Sequence, residues 1–434
     1  MKKYCTEKSK QIWERQKDML PGGCHFNFHG TKIVQNQYFV KAKNSRIWDV
    51  DGNEYLDLYA KSGTMILGHT NENLNKKIKE TLDDVVSVND TPKTEEILNK
   101  LRICIPSMEM MRFGLSGTEM IQNAMRLARA YTGKQKIIRF LGHFHGSADN
   151  VLGNQNNSEY HPIDDLTEIN STEGRFLGAF DETLVLPWND IETLKDVLYT
   201  NKDQIAALIM EPIMVNNGSI MPVDGYLEKV RALCDEYHVL LIFDEIITGF
   251  RVGLGGAQAL LGVKPDLTIA GKAVSNGVIP VSILGGNRKI LEMYASNKVV
   301  HLGTYNGYPL AMAAIDGTLE QLMKENTYKH MIKMAGEIAR IMEKTANGMR
   351  IPFTLQGPPL CMSYHFKKHV TQTYQVDKRE IAKKSYFYSC CNEYGILFAP
   401  PSRIYLNASI NESDLCFFEE RIYQAFKAAA DIIG

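Results

Sequence analysis

Several short stretches of this 434-residue chain are apolar almost without a break: 136–141, 206–210, 239–243, 267–270 and 281–284. A strand with one wet face alternates apolar and polar residues, whereas an unbroken apolar run belongs to a sheet buried on both faces. Between two of these runs, residues 226–238 place Leu227, Val230, Leu233, Cys234 and Tyr237 along one helical stripe. Residues 119–131 do the same with Met120, Ala124, Leu127, Ala128 and Tyr131. Strand, helix and strand in succession predict an α/β fold with a doubly wound, mostly parallel central sheet.

The rest of the chain is organised differently. An amphipathic helix is expected over 7–19, ended by Pro21-Gly22-Gly23. A meander is expected over 32–58, where Asp51-Gly52 separates two strand-like segments as in a hairpin. Beyond about residue 326, helices over 327–346, 379–394 and 412–432 surround short strands at 351–355, 360–366 and 403–408, the pattern of a smaller α+β domain. The expected division is an N-terminal segment 1–70 packing with the small domain, a large domain 71–325, and a C-terminal small domain 326–434. One stretch, 151–182, is rich in Asn, Ser, Asp, Glu and Gly and shows little periodicity. A loop of that length is either a lid or a surface excursion.

Composition excludes several classes of function. A net charge of -1 gives no reason to expect nucleic acid or an anionic membrane as partner. No apolar run approaches the length of a membrane span, and the polar start of the chain lacks a signal-peptide core. Eight scattered cysteines without a Cys-x-x-Cys pair point to reduced thiols and a cytoplasmic protein, and no ligand spacing suggests a metal. No Gly-x-Gly-x-x-Gly follows the first sheet strand, which disfavours a dinucleotide-binding fold.

The chemistry gathers at the predicted strand ends, where open α/β sheets bind ligands. Asp244 closes Val239-Leu-Leu-Ile-Phe243, and Lys272 follows Asp266-Leu-Thr-Ile-Ala-Gly271. An enclosed carboxylate needs a charged or donor partner. The partner is either a structural ion pair or the protonated nitrogen of a pyridine ring. A lysine at a crowded strand end is either a nucleophilic amine or a solvated surface group. An amine and an acid together are what pyridoxal phosphate chemistry requires, the amine for a Schiff base and the acid for the ring nitrogen. Ser116-Gly117-Thr118 opens a helix and serves as a plain N-cap or a phosphate site. Phe144, within His143-Phe-His-Gly146, is able to stack on a flat heterocycle or pack in a turn. Glu211 ends another strand, with Asn216 and Asn217 just beyond.

These segments together resemble the class III pyridoxal-phosphate-dependent aminotransferases of fold type I. The resemblance rests on Ser116-Gly-Thr-Glu119, Tyr131-Thr-Gly-Lys134, His145-Gly146, Glu211-Pro212, Phe243-Asp-Glu245, Thr248-Gly-Phe-Arg251, Pro265-Asp266, Gly271-Lys272 and Gly303-Thr304. It spans nearly the whole chain, and Gly253-Leu-Gly-Gly-Ala-Gln258 is similar to the glutamate-1-semialdehyde aminomutase subgroup. The resemblance implies that Lys272 forms the Schiff base and moves the proton, and that Asp244 binds the ring nitrogen. It implies that Phe144 and Ile246 flank the ring, and that Ser116, Gly117 and Thr118 hold phosphate. Thr304 would reach in from the second subunit of a homodimer.

Departures bear on the substrate. The aminomutases carry a carboxylate-binding arginine shortly after the Pro-Gly-Gly turn, where this chain has His29. A neutral imidazole cannot clamp a carboxylate through two parallel hydrogen bonds. The segment Ala399-Pro-Pro-Ser-Arg403 lacks the aminomutase's acidic residue, and Arg403 is a candidate anion binder. His29, Asn216 and Arg403 are thus the expected substrate contacts. The expected activity is transfer of an amino group from an amino donor to a ketone or aldehyde acceptor. The alternatives are intramolecular aminomutase chemistry and a pyridoxal phosphate-binding protein without turnover.

Overall fold

The computed structural model describes residues 3–25, 37–152, 174, 176–179, 181–371 and 378–434. The chain divides into two compact units, one formed by 1–72, 325–369 and 376–434, the other by 73–324 and 370–375. The N-terminal strands and the C-terminal helices therefore belong to a single unit.

The larger continuous unit holds a seven-stranded sheet. Its strands are β1 (Met110–Gly114), β2 (Lys136–Phe140), β3 (Thr183–Leu186), β4 (Ile205–Met210), β5 (Leu240–Glu245), β6 (Leu267–Ala270) and β7 (Ser282–Gly286), in the spatial order β1-β7-β6-β5-β4-β2-β3. β7 runs antiparallel to both β1 and β6, and the pairs from β6 through β3 are parallel. Every residue of β4 to β7 is buried, as the unbroken apolar runs require. Helix Gly117–Thr132 covers one face, packing Met120, Ala124, Leu127 and Ala128 against Ala207, Ile209, Ile242 and Ile269. Ser116 starts that helix by accepting the Glu119 N–H, and Gly133 ends it at a φ of 72°. Because β1 and β6 both oppose β7, the C-terminal ends of β1, β2, β4, β5 and β6 share one edge.

The other unit joins strands Phe39–Lys43, Arg46–Asp49 and Glu54–Leu58 to Ile396–Phe398 in a four-stranded sheet. The hairpin expected at Asp51-Gly52 is present, with Ile47 opposite Tyr55. A three-stranded sheet of Thr354–Gln356, Cys361–His365 and Arg403–Tyr405 and the helices Glu325–Gly348, Lys378–Glu393 and Glu412–Ile433 complete this unit.

Two strands were not expected from the sequence. Thr183–Leu186 is a four-residue edge strand that follows the polar stretch, and Ile396–Phe398 is a three-residue strand directly after a long helix. Most of the stretch over 151–182, expected to be a lid or a surface excursion, lies outside the described residues. No helix among the described residues is long and apolar enough to cross a membrane.

Candidate active site

The shared strand edge collects most of the predicted residues. Asp244, near the end of β5, is buried. Its Oδ2 lies 2.7 Å from His145 Nδ1, and its Oδ1 accepts the Ile246 N–H at 3.1 Å. His145 is fully buried and its Nε2 has no partner, so Nδ1–H donating to the carboxylate is the tautomer that leaves the fewest unmade bonds. Part of the partner that Asp244 requires is thus an imidazole ring from the loop after β2.

Lys272 follows β6 and adopts a φ of 45°. A non-glycine residue held in the left-handed region costs on the order of 1–3 kcal/mol and concentrates at functional sites. The preceding Gly271 is dictated by close approach. A Cβ there would stand 2.8 Å from Ile246 Cδ1 and 2.9 Å from Ser282 Oγ. A Cβ on Gly117 would stand 3.0 Å from the same Ile246 methyl. Ile246 thus bridges the helix start at Gly117 and the turn that carries Lys272.

The circuit closes through the loop after β2. Thr118 Oγ1 accepts the Ser147 N–H at 3.2 Å, and a Cβ on Gly146, whose φ is +93°, would meet that hydroxyl at 2.3 Å. Phe144 presents its ring to solvent with 38% of its surface exposed, while its N–H donates to Glu211 Oε1 at 2.8 Å. Glu211 also accepts from Asn216, at Oε1 from the side-chain amide (3.0 Å) and at Oε2 from the backbone (3.3 Å). Burial pushes the Glu211 carboxyl above its ordinary value, and Asp244 adds to the rise. The Phe144 and Asn216 donors and nearby His145 oppose it.

The neighbouring Glu245 points elsewhere. It accepts the Ala257 and Gln258 backbone N–H groups at 2.5 and 3.2 Å, the Gln258 side-chain amide at 2.9 Å and the Thr248 hydroxyl at 3.0 Å. Glu245 therefore anchors the start of helix Gly256–Leu261.

Gly117, Thr118, Phe144, Glu211, Asn216, Asp244, Ile246 and Lys272 therefore meet at one edge, with Ser116 as the exposed helix cap. Thr304 is exposed and makes none of these contacts, although His301 in the same segment lies 3.5 Å from Glu119. Arg403 belongs to the other unit, where it donates to the Pro400 carbonyl at 2.9 Å. His29 lies outside the described residues. The bonds of His145 to the Asp244 carboxylate and of His143 to the Glu211 backbone N–H are not expected from the sequence, where the spacing His-x-His is their one visible signal. No cluster of three or more metal-ligating side chains occurs among the described residues.

The donor set suits a planar pyridine that carries a phosphate. The buried acid and the amine stand at the ends of adjacent strands, Gly117 and Gly271 let Ile246 approach closely, and a helix N-terminus favours an anion.

Comparison with known proteins agrees. The family model for aminotransferase class-III matches residues 30–401. The chain is 35% identical to glutamate-1-semialdehyde 2,1-aminomutase 2 of Brevibacillus brevis, over 98% of this chain and 99% of that protein. It is also 35% identical to the glutamate-1-semialdehyde 2,1-aminomutase of Bacillus subtilis, over 98% of each. Among solved structures, an omega-transaminase from Sphaerobacter thermophilus superposes with a TM-score of 0.91 at 26% identity, covering 97% of this chain and 98% of that one. From its edge-clustered site to its full-length relatives, the chain belongs to the class-III aminotransferase family.

Proposed function

We propose that this protein is a pyridoxal-phosphate-dependent aminotransferase that moves an amino group from an amino donor to a ketone or aldehyde acceptor. The observation that carries the reading is the meeting of Lys272, Asp244 and the helix start at Gly117 around Ile246. When bound, pyridoxal phosphate supplies the electron sink for breaking a bond at the donor carbon. Lys272 Nζ would be the amine that holds the cofactor and the base that moves the proton at the donor carbon. Asp244, held by His145 and the Ile246 amide, would receive the ring N–H. Ser116, Gly117 and Thr118 hold the phosphate, joined by Thr304 of the partner subunit in a homodimer. Phe144 and Ile246 hold the two ring faces. Glu211 joins the cofactor-binding set, and Asn216, His29 and Arg403 shape the substrate side. The thin scatter of cysteines without a Cys-x-x-Cys pair supports a cytoplasmic setting.

The test is direct. Purified protein should be yellow, borohydride should fix the cofactor to Lys272, and donors should bleach the band in single turnover. A protein that takes up no pyridoxal phosphate, or a Lys272→Ala variant that turns over normally, overturns the reading.

Intramolecular aminomutase chemistry is the second reading, favoured by the names of the relatives at 35% identity. Enzyme loaded with pyridoxamine phosphate and given an α-keto acid separates the two. An aminotransferase releases the matching amino acid, whereas an aminomutase acts without an external acceptor.

A further inference from the structure

The reading above leaves His143 without a task. His143 is fully buried, and its ring packs 4.7 Å from Trp188, 5.5 Å from Phe140 and 5.8 Å from His145. Its Nδ1 accepts the Glu211 backbone N–H at 2.9 Å. A ring nitrogen that accepts is unprotonated, so the ring hydrogen resides on Nε2. That nitrogen is buried and has no partner. A leucine would fill this aromatic niche without burying an unanswered donor. The one polar contact that favours histidine is therefore the bond to Glu211.

The bond is returned. The Glu211 carboxylate accepts the N–H of Phe144, the residue next to His143. The side chain of 143 thus holds the backbone of 211, and the side chain of 211 holds the backbone of 144. This reciprocal clasp ties together the ends of β2 and β4, which are neighbours in the sheet. The same carboxylate takes the Asn216 amide. Burial keeps the imidazole well below its usual value, with His145 and Arg139 adding to the effect, so the accepting form persists.

We propose that His143 is a positioning residue for amino transfer, its clasp with Glu211 fixing the Phe144 backbone and the Asn216 side chain where cofactor ring and substrate lie. The proposal rests on the function proposed above. His143→Leu preserves the packing and removes the acceptor, whereas His143→Asn offers an amide oxygen in place of Nδ1. In the holoenzyme, His143→Leu should speed hydrogen exchange at the Glu211 amide and shift the cofactor absorption band. It should lower kcat about ten- to a hundredfold. His143→Asn should restore all three. A His143→Leu enzyme that loses only melting temperature, keeping kcat and the band, overturns the proposal, as does an Asn variant that rescues nothing.

Should the leucine variant fail to accumulate, the wild type answers by itself. Its His143 Nδ1 should show the nitrogen resonance of an unprotonated acceptor and should move when pyridoxal phosphate binds. A protonated Nδ1, or a resonance that stays fixed, overturns the proposal. A wild type that binds no pyridoxal phosphate at all would instead refute the proposed function, and the exchange rate at Glu211 would still report the clasp.

Discussion

Two buried clusters of ionisable side chains, one in each unit, meet the same electrostatic problem differently. At the edge of the seven-stranded sheet, the carboxylates of Glu211 and Asp244 are matched by backbone N–H groups, an asparagine amide and the ring of His145. In the other unit, Lys384, Glu380 and His365 are 2%, 3% and 0% exposed. Lys384 Nζ stands 2.9 Å from His365 Nδ1 and 3.7 Å from Glu380, whose carboxylate also accepts the Phe366 N–H. The second cluster contains its own cation. The first gives its carboxylates several directed N–H donors, with the amine of Lys272 just beyond the end of the neighbouring strand. In the second, lysine, acid and imidazole pack directly on one another. Buried ionisable groups gather at functional sites and also build structure.

Substitutions should separate the two. Lys272→Ala should lower amino transfer by about a thousandfold or more and abolish borohydride labelling. Asp244→Asn, which keeps the shape and removes the charge, should cost roughly a hundredfold in kcat with little change in melting temperature. Normal steady-state rates in either variant would show that the strand edge is as structural as the Lys384 cluster.

Glu245→Ala sharpens the contrast within one strand. It leaves the donors at Ala257 and Gln258 unanswered and should cost about 3 kcal/mol in denaturant unfolding. The kcat of the folded fraction should fall far less than in Asp244→Asn. Equal losses of kcat in the two variants would erase the distinction between the neighbouring acids.

Lys384 makes a pH prediction. Burial depresses its ammonium from 10.5 to about 8, with Lys367 adding to the drop and Glu380 opposing it. Between those values the unfolded chain takes a proton that the folded chain refuses. Stability should therefore rise as pH increases from about 8 towards 10.5, by up to roughly 3 kcal/mol over the whole window. Unfolding free energies of wild type and Lys384→Met across that range supply the check, since the difference in slope isolates this residue. Parallel slopes would show that the lysine is not desolvated.

His143 gives an effect of the same sign in a more acidic window. Its folded value lies below 6.5, so stability is retained above that pH. It is lost as the medium becomes more acidic and the unfolded chain gains the proton. His143→Asn should flatten part of this acid slope. An unchanged slope would mean that the ring is already able to take a proton in the fold.

Much of this was legible along the chain. Unbroken apolar runs located β2, β4, β5, β6 and β7 to within about two residues, because burial on both faces leaves a local imprint. The helix at Gly117–Thr132 was readable from its stripe and its Ser116 start. Thr183–Leu186 and Ile396–Phe398 were not, since strands of four and three residues carry too few positions to show a period. Asp244 and Lys272 stood out because a charge that ends an apolar run is chemically conspicuous. Glu245, equally conspicuous, proved to be a helix anchor. Nothing adjacent in sequence distinguishes it from Asp244.

The sequence by itself determined a parallel sheet, the placing of an amine and an acid at its strand ends, and the resemblance that assigns them a cofactor. Only the tertiary structure decided which groups stand beside those strand ends. His145 and Asp244 are 99 residues apart, and His143 and Glu211 are 68 apart. Strand order alone brings such pairs together. Periodicity records whether a residue is buried, a property of its own segment. The identity of its partner depends on which segments lie side by side, and that is settled only when the whole sheet assembles.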